Sequence, residues 1–200
     1  MTEDASDVNQ ERISTTYCTV FNASRGYTKS LISFKFGYTP LRVSSTSYFR
    51  DQRLFEKKDI ILGLHYSREV EGISDGTYEW MDATGEVYFN QVKAYSFNLI
   101  HPPSQLQKYR YYNFSWAGVE IPNFSGDFHI TIDSHVSGSP VGFDGGELLE
   151  IDSHQLDYLP TGRATMTISR NYSEPIDNRT QAGGESTVSF VREFEIIIVE

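Results

Sequence analysis

Ile-Asp-Ser-His occurs twice in the chain, at Ile132–His135 and again at Ile151–His154. Each copy sets an aspartate and a histidine two residues apart, and on a β-strand residues i and i+2 point to one face. Two histidines and two carboxylates that converge make a zinc or iron ligand set. Geometry decides whether they converge. Consecutive β-segments with a short connection most simply form an antiparallel hairpin, in which Phe128, Ile130 and Ile132 share a face with Leu149 and Ile151. That register sets His129 opposite Asp152 and His154 opposite Asp127, so the repeats run head to tail. Asp133 and Asp152 are then about 13 Å apart at roughly 3.3 Å per residue, too far for one ion. The expectation is two solvated cross-strand pairs worth about 0.2–1 kcal/mol each. A metal site made by Asp133 and His135 with an unrelated loop is the competing reading.

Other stretches carry chemistry of their own. "GGELLEIDSHQ" is similar to the strand signature of glycoside hydrolases with a concanavalin-like jelly roll. That resemblance implies Glu150 as nucleophile and Asp152 as its assisting carboxylate. Retaining hydrolysis needs a second carboxyl about 5.5 Å away to protonate the leaving group. The matching position holds Gln155, which cannot deliver a proton. "FDGGE" offers Asp144, Glu147 and carbonyl oxygens to Ca²⁺, a hard cation that favours loop oxygens. It lacks the alternating acids of an EF-hand loop, and an ordinary Gly-Gly turn explains it without a cofactor. Trp80 and Trp116, with Tyr109 and Tyr111, could form an aromatic platform on which apolar sugar faces stack. Asn22, Asn113, Asn123, Asn171 and Asn178 each begin an Asn-x-Ser/Thr sequon.

These residues need strands to position them, and the chain supplies the pattern. Ile32, Phe34 and Phe36 alternate with polar neighbours, as do Phe128, Ile130 and Ile132, and Ala164, Met166 and Ile168. Turn signals such as "SDGT", "ATGE", "LPTG" and "QAGG" separate the alternating runs. Strands are expected near 13–22, 30–36, 42–49, 59–66, 85–100, 109–121, 126–133, 147–152, 163–170 and 186–199. The polar "MTEDASDVNQER" reads as a disordered acidic leader, followed by a single domain over residues 13–200. The expected fold is all-β, a sandwich of two antiparallel sheets of jelly-roll or immunoglobulin-like type.

The totals bound the partners. A formal net charge of −10 disfavours nucleic acid and an anionic membrane surface. No run reaches the roughly eighteen apolar residues of a transmembrane helix. The single cysteine, Cys18, rules out an intramolecular disulfide and reads as a small apolar residue. "TEDASD", "SDGTYEW", "TGRATMTIS" and "ESTVSFVREFEI" resemble stretches of the small β-sandwich lipoproteins exported by Bacteroidetes-type bacteria. That resemblance implies a place in the cell envelope and a role in adhesion or glycan handling, and it identifies no catalytic residues. The expectation is a non-catalytic extracytoplasmic module for glycan or a surface protein, without a cofactor. A hydrolase using Glu150 and Asp152 is the alternative.

Overall fold

A computed structural model of the chain describes residues 3–43, 46–60, 62–121, 127–136, 140–146 and 148–200. The protein is all-β, built mainly of antiparallel strands, with two short 3-10 turns at Ala5–Asp7 and Gln10–Arg12. It forms two compact units. Unit 1 takes Met1–Phe21, Gly26–Ala94 and Ser173–Val188, and unit 2 takes Asn22–Arg25, Tyr95–Tyr172 and Ser189–Glu200.

In unit 1 the Ile13–Asn22 strand buries Ile13, Thr15, Tyr17, Thr19 and Phe21, every second residue, as the period of a half-buried strand requires. Beside it the Tyr27–Phe36 strand pairs with Thr39–Arg42 and with Gly63–Glu71, and Gly63–Glu71 carries Phe55–Asp59 on its other side. A separate four-stranded sheet runs in the order Val87–Val92, Gly76–Met81, Ser47–Phe49, Gln52–Arg53. Its inner face supplies Phe49, Tyr78, Trp80 and Tyr88 to the core. Trp80 stacks on Tyr88 at 4.5 Å, meets Phe34 edge-on at 4.8 Å and donates its indole N–H to the Tyr17 hydroxyl at 3.1 Å. The Tyr78 hydroxyl accepts from the Leu31 amide and lies 2.9 Å from both the Cys18 carbonyl and Thr19 Oγ1.

Residues 3–12 are drawn onto this unit. Glu3–Asp4 adds a parallel strand to Leu41–Arg42, and Ala5 is buried. Gln10 Nε2 donates to the carbonyls of Ala5 and Val8, and the Ala182 amide donates to Glu11. Composition pointed to disorder because the segment has few apolar residues, but its backbone groups find partners along the unit.

In unit 2 the Asp127–Ser134 strand lies between Gly162–Glu174 and Val141–Gly146. Two short ladders complete it, Phe97–Leu99 with Trp116–Gly118 and Tyr112–Asn113 with Glu150–Ile151. Phe97 packs edge-on against Phe128 and Phe190 at 5.2 and 5.8 Å, and Ile130, Ile132, Met166 and Ile168 fill the space beside them.

Candidate functional site

Because Tyr78 and Trp80 point inward, Thr77, Glu79 and Met81 point out of the four-stranded sheet. Tyr48 stands opposite Glu79, Glu79 opposite Phe89, and Thr77 opposite Gln91. Phe89, Met81 and Val87 are each about half exposed, so this open face mixes rings, aliphatic groups and one carboxylate. A cleft of about 520 Å³ opens at one end, lined by Tyr48, Arg50, Asp51, Asp75, Thr77 and Glu79 among others. Gly76 lies at its floor, where a Cβ would run into the Phe49 ring.

Arg50 and Asp51 form the two-residue turn between Phe49 and Gln52, with φ of +50° and +58°. Two successive left-handed residues are what a tight hairpin of this hand needs, and Asn-Gly is its low-cost solution. Arg and Asp cost about 1–2 kcal/mol each in that conformation, and such strain collects where side chains have a task. The Arg50 guanidinium lies 5.1 Å over the Phe49 ring and donates to the Asp75 carbonyl and to Thr28 Oγ1. Burial lowers its pKa, with the Asp75 carboxylate opposing the shift. The cleft therefore presents fixed hydrogen-bonding planes beside the Tyr48 ring.

Next to it, three carboxylates hold the edge strand Val87–Val92 and its continuation. Asp177 accepts from the Gln91 amide at 2.7 Å, Glu174 from Lys93 at 3.4 Å and Asp75 from Ala94 at 2.9 Å. These bonds occupy an edge that would otherwise template another strand. Burial pushes Glu174 up to about 7; the Lys93 amide and ammonium oppose this, while Asp177 and Asp75 add to it. With the folded value above the ordinary one of 4.5, the native state binds the extra proton across this window. Stability contributed by Glu174 is therefore lost as pH rises from about 4.5 to about 7. Glu174→Gln should melt about 2–4 °C above wild type at pH 8, for roughly 1 kcal/mol after discounting for solvent exposure. The difference should close towards pH 5, as thermal melts across the range would show.

The residues singled out in the sequence fall elsewhere. Trp80 is 1% exposed and serves the core, so it presents no ring to a ligand. Trp116, half-buried in unit 2, has the Arg170 guanidinium over its ring at 4.7 Å and Phe128 edge-on at 5.0 Å. Tyr109 and Tyr111 are exposed. The Tyr111 hydroxyl hydrogen-bonds Glu150, which raises the phenol pKa, and Asn113 Nδ2 donates to Glu150 Oε1 at 2.9 Å. The strand holding Glu150 ends at Ile151, and Asp152 opens a turn in which Gln155 Oε1 accepts its amide. A one-strand array of Glu150, Asp152 and a third acid is therefore not formed.

The repeated tetrapeptide does not pair with itself. The strand beside Asp127–Ser134 is Val141–Gly146, which the sequence suggests is turn, because "VGFDGG" contains three glycines. His129 accordingly meets Asp144 at 2.7 Å rather than Asp152, with Gly142 leaving room for the imidazole. His154 meets Asp157 of its own turn at 3.2 Å rather than Asp127. His135 bonds Thr165 Oγ1 at 2.9 Å, and Asp133 lies opposite Thr165. Glu147 lies outside the described residues, as does Asn123. Among the described residues no group of three or more His, Cys, Asp and Glu side chains is placed to hold a metal. Of the sequons, Asn22 is buried and its amide nitrogen is bound to Glu193.

No protein-family model matches the chain, and no curated protein matches it. Among solved structures it is similar to fibronectin(III)-like modules of CbhA from Clostridium thermocellum, with 9% identity over 89% of this chain and 92% of that one. The TM-score is 0.24, too low to mark a shared fold, and the likeness assigns neither architecture nor function. Among the described residues no helix is long and apolar enough to cross a membrane.

Proposed function

We propose that the chain is a non-catalytic β-sandwich module of the cell exterior that binds neutral glycan on the open face of its four-stranded sheet. The observation that carries this reading is Tyr48 set directly opposite Glu79 beside the strained Arg50–Asp51 turn, over an open cleft of about 520 Å³. A phenol ring packs against the apolar side of a sugar, and planar carboxylates take vicinal hydroxyls in pairs. Asp51, Asp75 and Glu79 outnumber Arg50 there, which disfavours uronic and sulfated chains. A surface protein recognised by the same face is the competing partner.

Native gels cast with plant, host and bacterial polysaccharides test the proposal. At least one polymer should retard the protein without being cleared. Tyr48→Ala and Glu79→Ala should each weaken retardation about tenfold, as the loss of roughly 1.4 kcal/mol implies, while Glu150→Gln should leave it unchanged. Clearing of the polymer that Glu150→Gln abolishes would establish the hydrolase instead. Absence of retardation by every polymer would assign the face to a protein.

A further inference from the structure

Tyr48 and Glu79 belong to a longer row on the open face of the four-stranded sheet. Phe89 stands opposite Glu79, Glu79 opposite Tyr48, and Tyr48 opposite Arg53. Four neighbouring strands thus each place one side chain in a single line. Ring and charged group alternate along it as phenyl, carboxylate, phenol and guanidinium. Strands lie about 4.8 Å apart, which sets the Phe89 and Tyr48 positions about 10 Å from each other with Glu79 halfway. The rows on either side carry no ring, since Met81 faces Val87 on one flank and Thr77 faces Gln91 on the other. Phe89 is 45% exposed, and its strand is held at the sheet edge by Asp177, which accepts from the Gln91 amide.

We propose that this row takes an extended β-1,4-linked sugar chain lying across the strands, one sugar to each strand. The inference rests on the glycan reading above and specifies its ligand. In such a chain each sugar is turned over relative to the last, so sugars i and i+2 present the same face, one two-sugar repeat apart. That repeat matches the separation of Phe89 and Tyr48, whose rings stack under sugars i and i+2. The sugar between them lies over Glu79, whose carboxylate accepts from its hydroxyls, and a fourth sugar reaches Arg53, which donates. Glu79 and Arg53 balance each other along the row, which suits an uncharged chain. An α-1,4 chain curves, so its alternate sugars do not return to one plane and it meets one ring at a time. Phe89 is thereby a specificity-determining residue. Tyr48 and the cleft can hold a short sugar, but only a chain of three or more reaches both rings.

Calorimetric titration of the full chain is the test, with β-1,4 oligomers of glucose and of N-acetylglucosamine from disaccharide to tetrasaccharide. The α-1,4 glucose tetramer is the control. In at least one β-1,4 series, affinity should rise about tenfold from disaccharide to trisaccharide, the increment of one more stacked ring. Phe89→Ala should abolish that step and Phe89→Trp should keep it. Tyr158→Ala, at an exposed ring of unit 2, should leave the step as in wild type. Thermal melts of the Phe89 variants separate loss of the step from loss of the fold. Equal affinity of wild type for disaccharide and trisaccharide, a step that survives Phe89→Ala, or equal binding of the α-1,4 tetramer would overturn the proposal. So would binding of none of these oligomers, and the native gels then decide the broader reading separately. Retardation by a polymer of another linkage would keep a glycan-binding face, and retardation by none would remove it.

Discussion

Trp80→Ala should lower the unfolding free energy by about 3–5 kcal/mol, the usual loss for a large buried aromatic side chain. Domains of ordinary stability have only about 5–15 kcal/mol in total, so the variant should be largely unfolded in mild urea. The cause is specific. Removing the indole takes away the stack on Tyr88 and the edge contact with Phe34, and leaves the Tyr17 hydroxyl without its donor. A surface tryptophan reserved for ligand would behave in the opposite way, with stability within about 0.5 kcal/mol of wild type. Urea midpoints of wild type and variant therefore distinguish a core role for Trp80 from a ligand platform.

Tyr78→Phe should cost about 2–3 kcal/mol although it deletes a single oxygen. That oxygen accepts from the Leu31 amide and lies within hydrogen-bond distance of the Cys18 carbonyl and Thr19 Oγ1, with no solvent access. Leaving a buried donor unsatisfied costs about 1–3 kcal/mol, and a second orphaned group adds to it. Burial also pushes the phenol pKa well above the ordinary value, so this tyrosine should ionise only on unfolding. Equilibrium denaturation of Tyr78→Phe beside Tyr17→Phe checks the magnitude. A loss below about 0.5 kcal/mol for Tyr78→Phe would mean that the hydroxyl does not tie the sheets of unit 1 together.

Much of the fold was legible because a strand announces itself by a period of two. The Ile13–Asn22, Asp127–Ser134 and Gly184–Val199 strands stand within two residues of where alternation puts them. The misses have local causes. "GTYEWM" alternates as cleanly as any strand but lies outside the strands expected above, and its period of two turns Tyr78 and Trp80 to the core rather than to a ligand. "VGFDGG" reads as turn because glycine is rare in strands, and without it the His129 partner was misplaced. Phe55–Asp59 and Gly63–Glu71 form a hairpin where one strand over 59–66 is expected, because Gly63, with φ +69°, is a weak turn signal beside the apolar Ile60 and Leu62.

The candidate site was less legible than the fold. Arg50 and Asp51 carry no mark in the sequence, since only backbone geometry reveals that both are left-handed. Tyr48 and Glu79 are far apart in the chain and become neighbours through pairing of Ser47–Phe49 with Gly76–Met81. Period two could have placed Glu79 on the face opposite Tyr78 and Trp80. It could not have supplied the cross-strand partner. Tyr109, Tyr111 and Trp116 were found as aromatic residues, but half-burial of Trp116 under Arg170 depends on packing that no spacing encodes.

The most direct test of the glycan-binding face is amide chemical-shift mapping of the labelled chain, titrated with β-1,4-linked oligosaccharides of glucose, xylose and N-acetylglucosamine. At least one of them should shift a contiguous set of amides at Tyr48, Arg50, Thr77, Glu79 and Phe89, and Tyr48→Ala should abolish those shifts. Perturbation confined to Tyr109, Tyr111, Asn113 and Glu150, or no perturbation by any of the three sugars, would contradict the account.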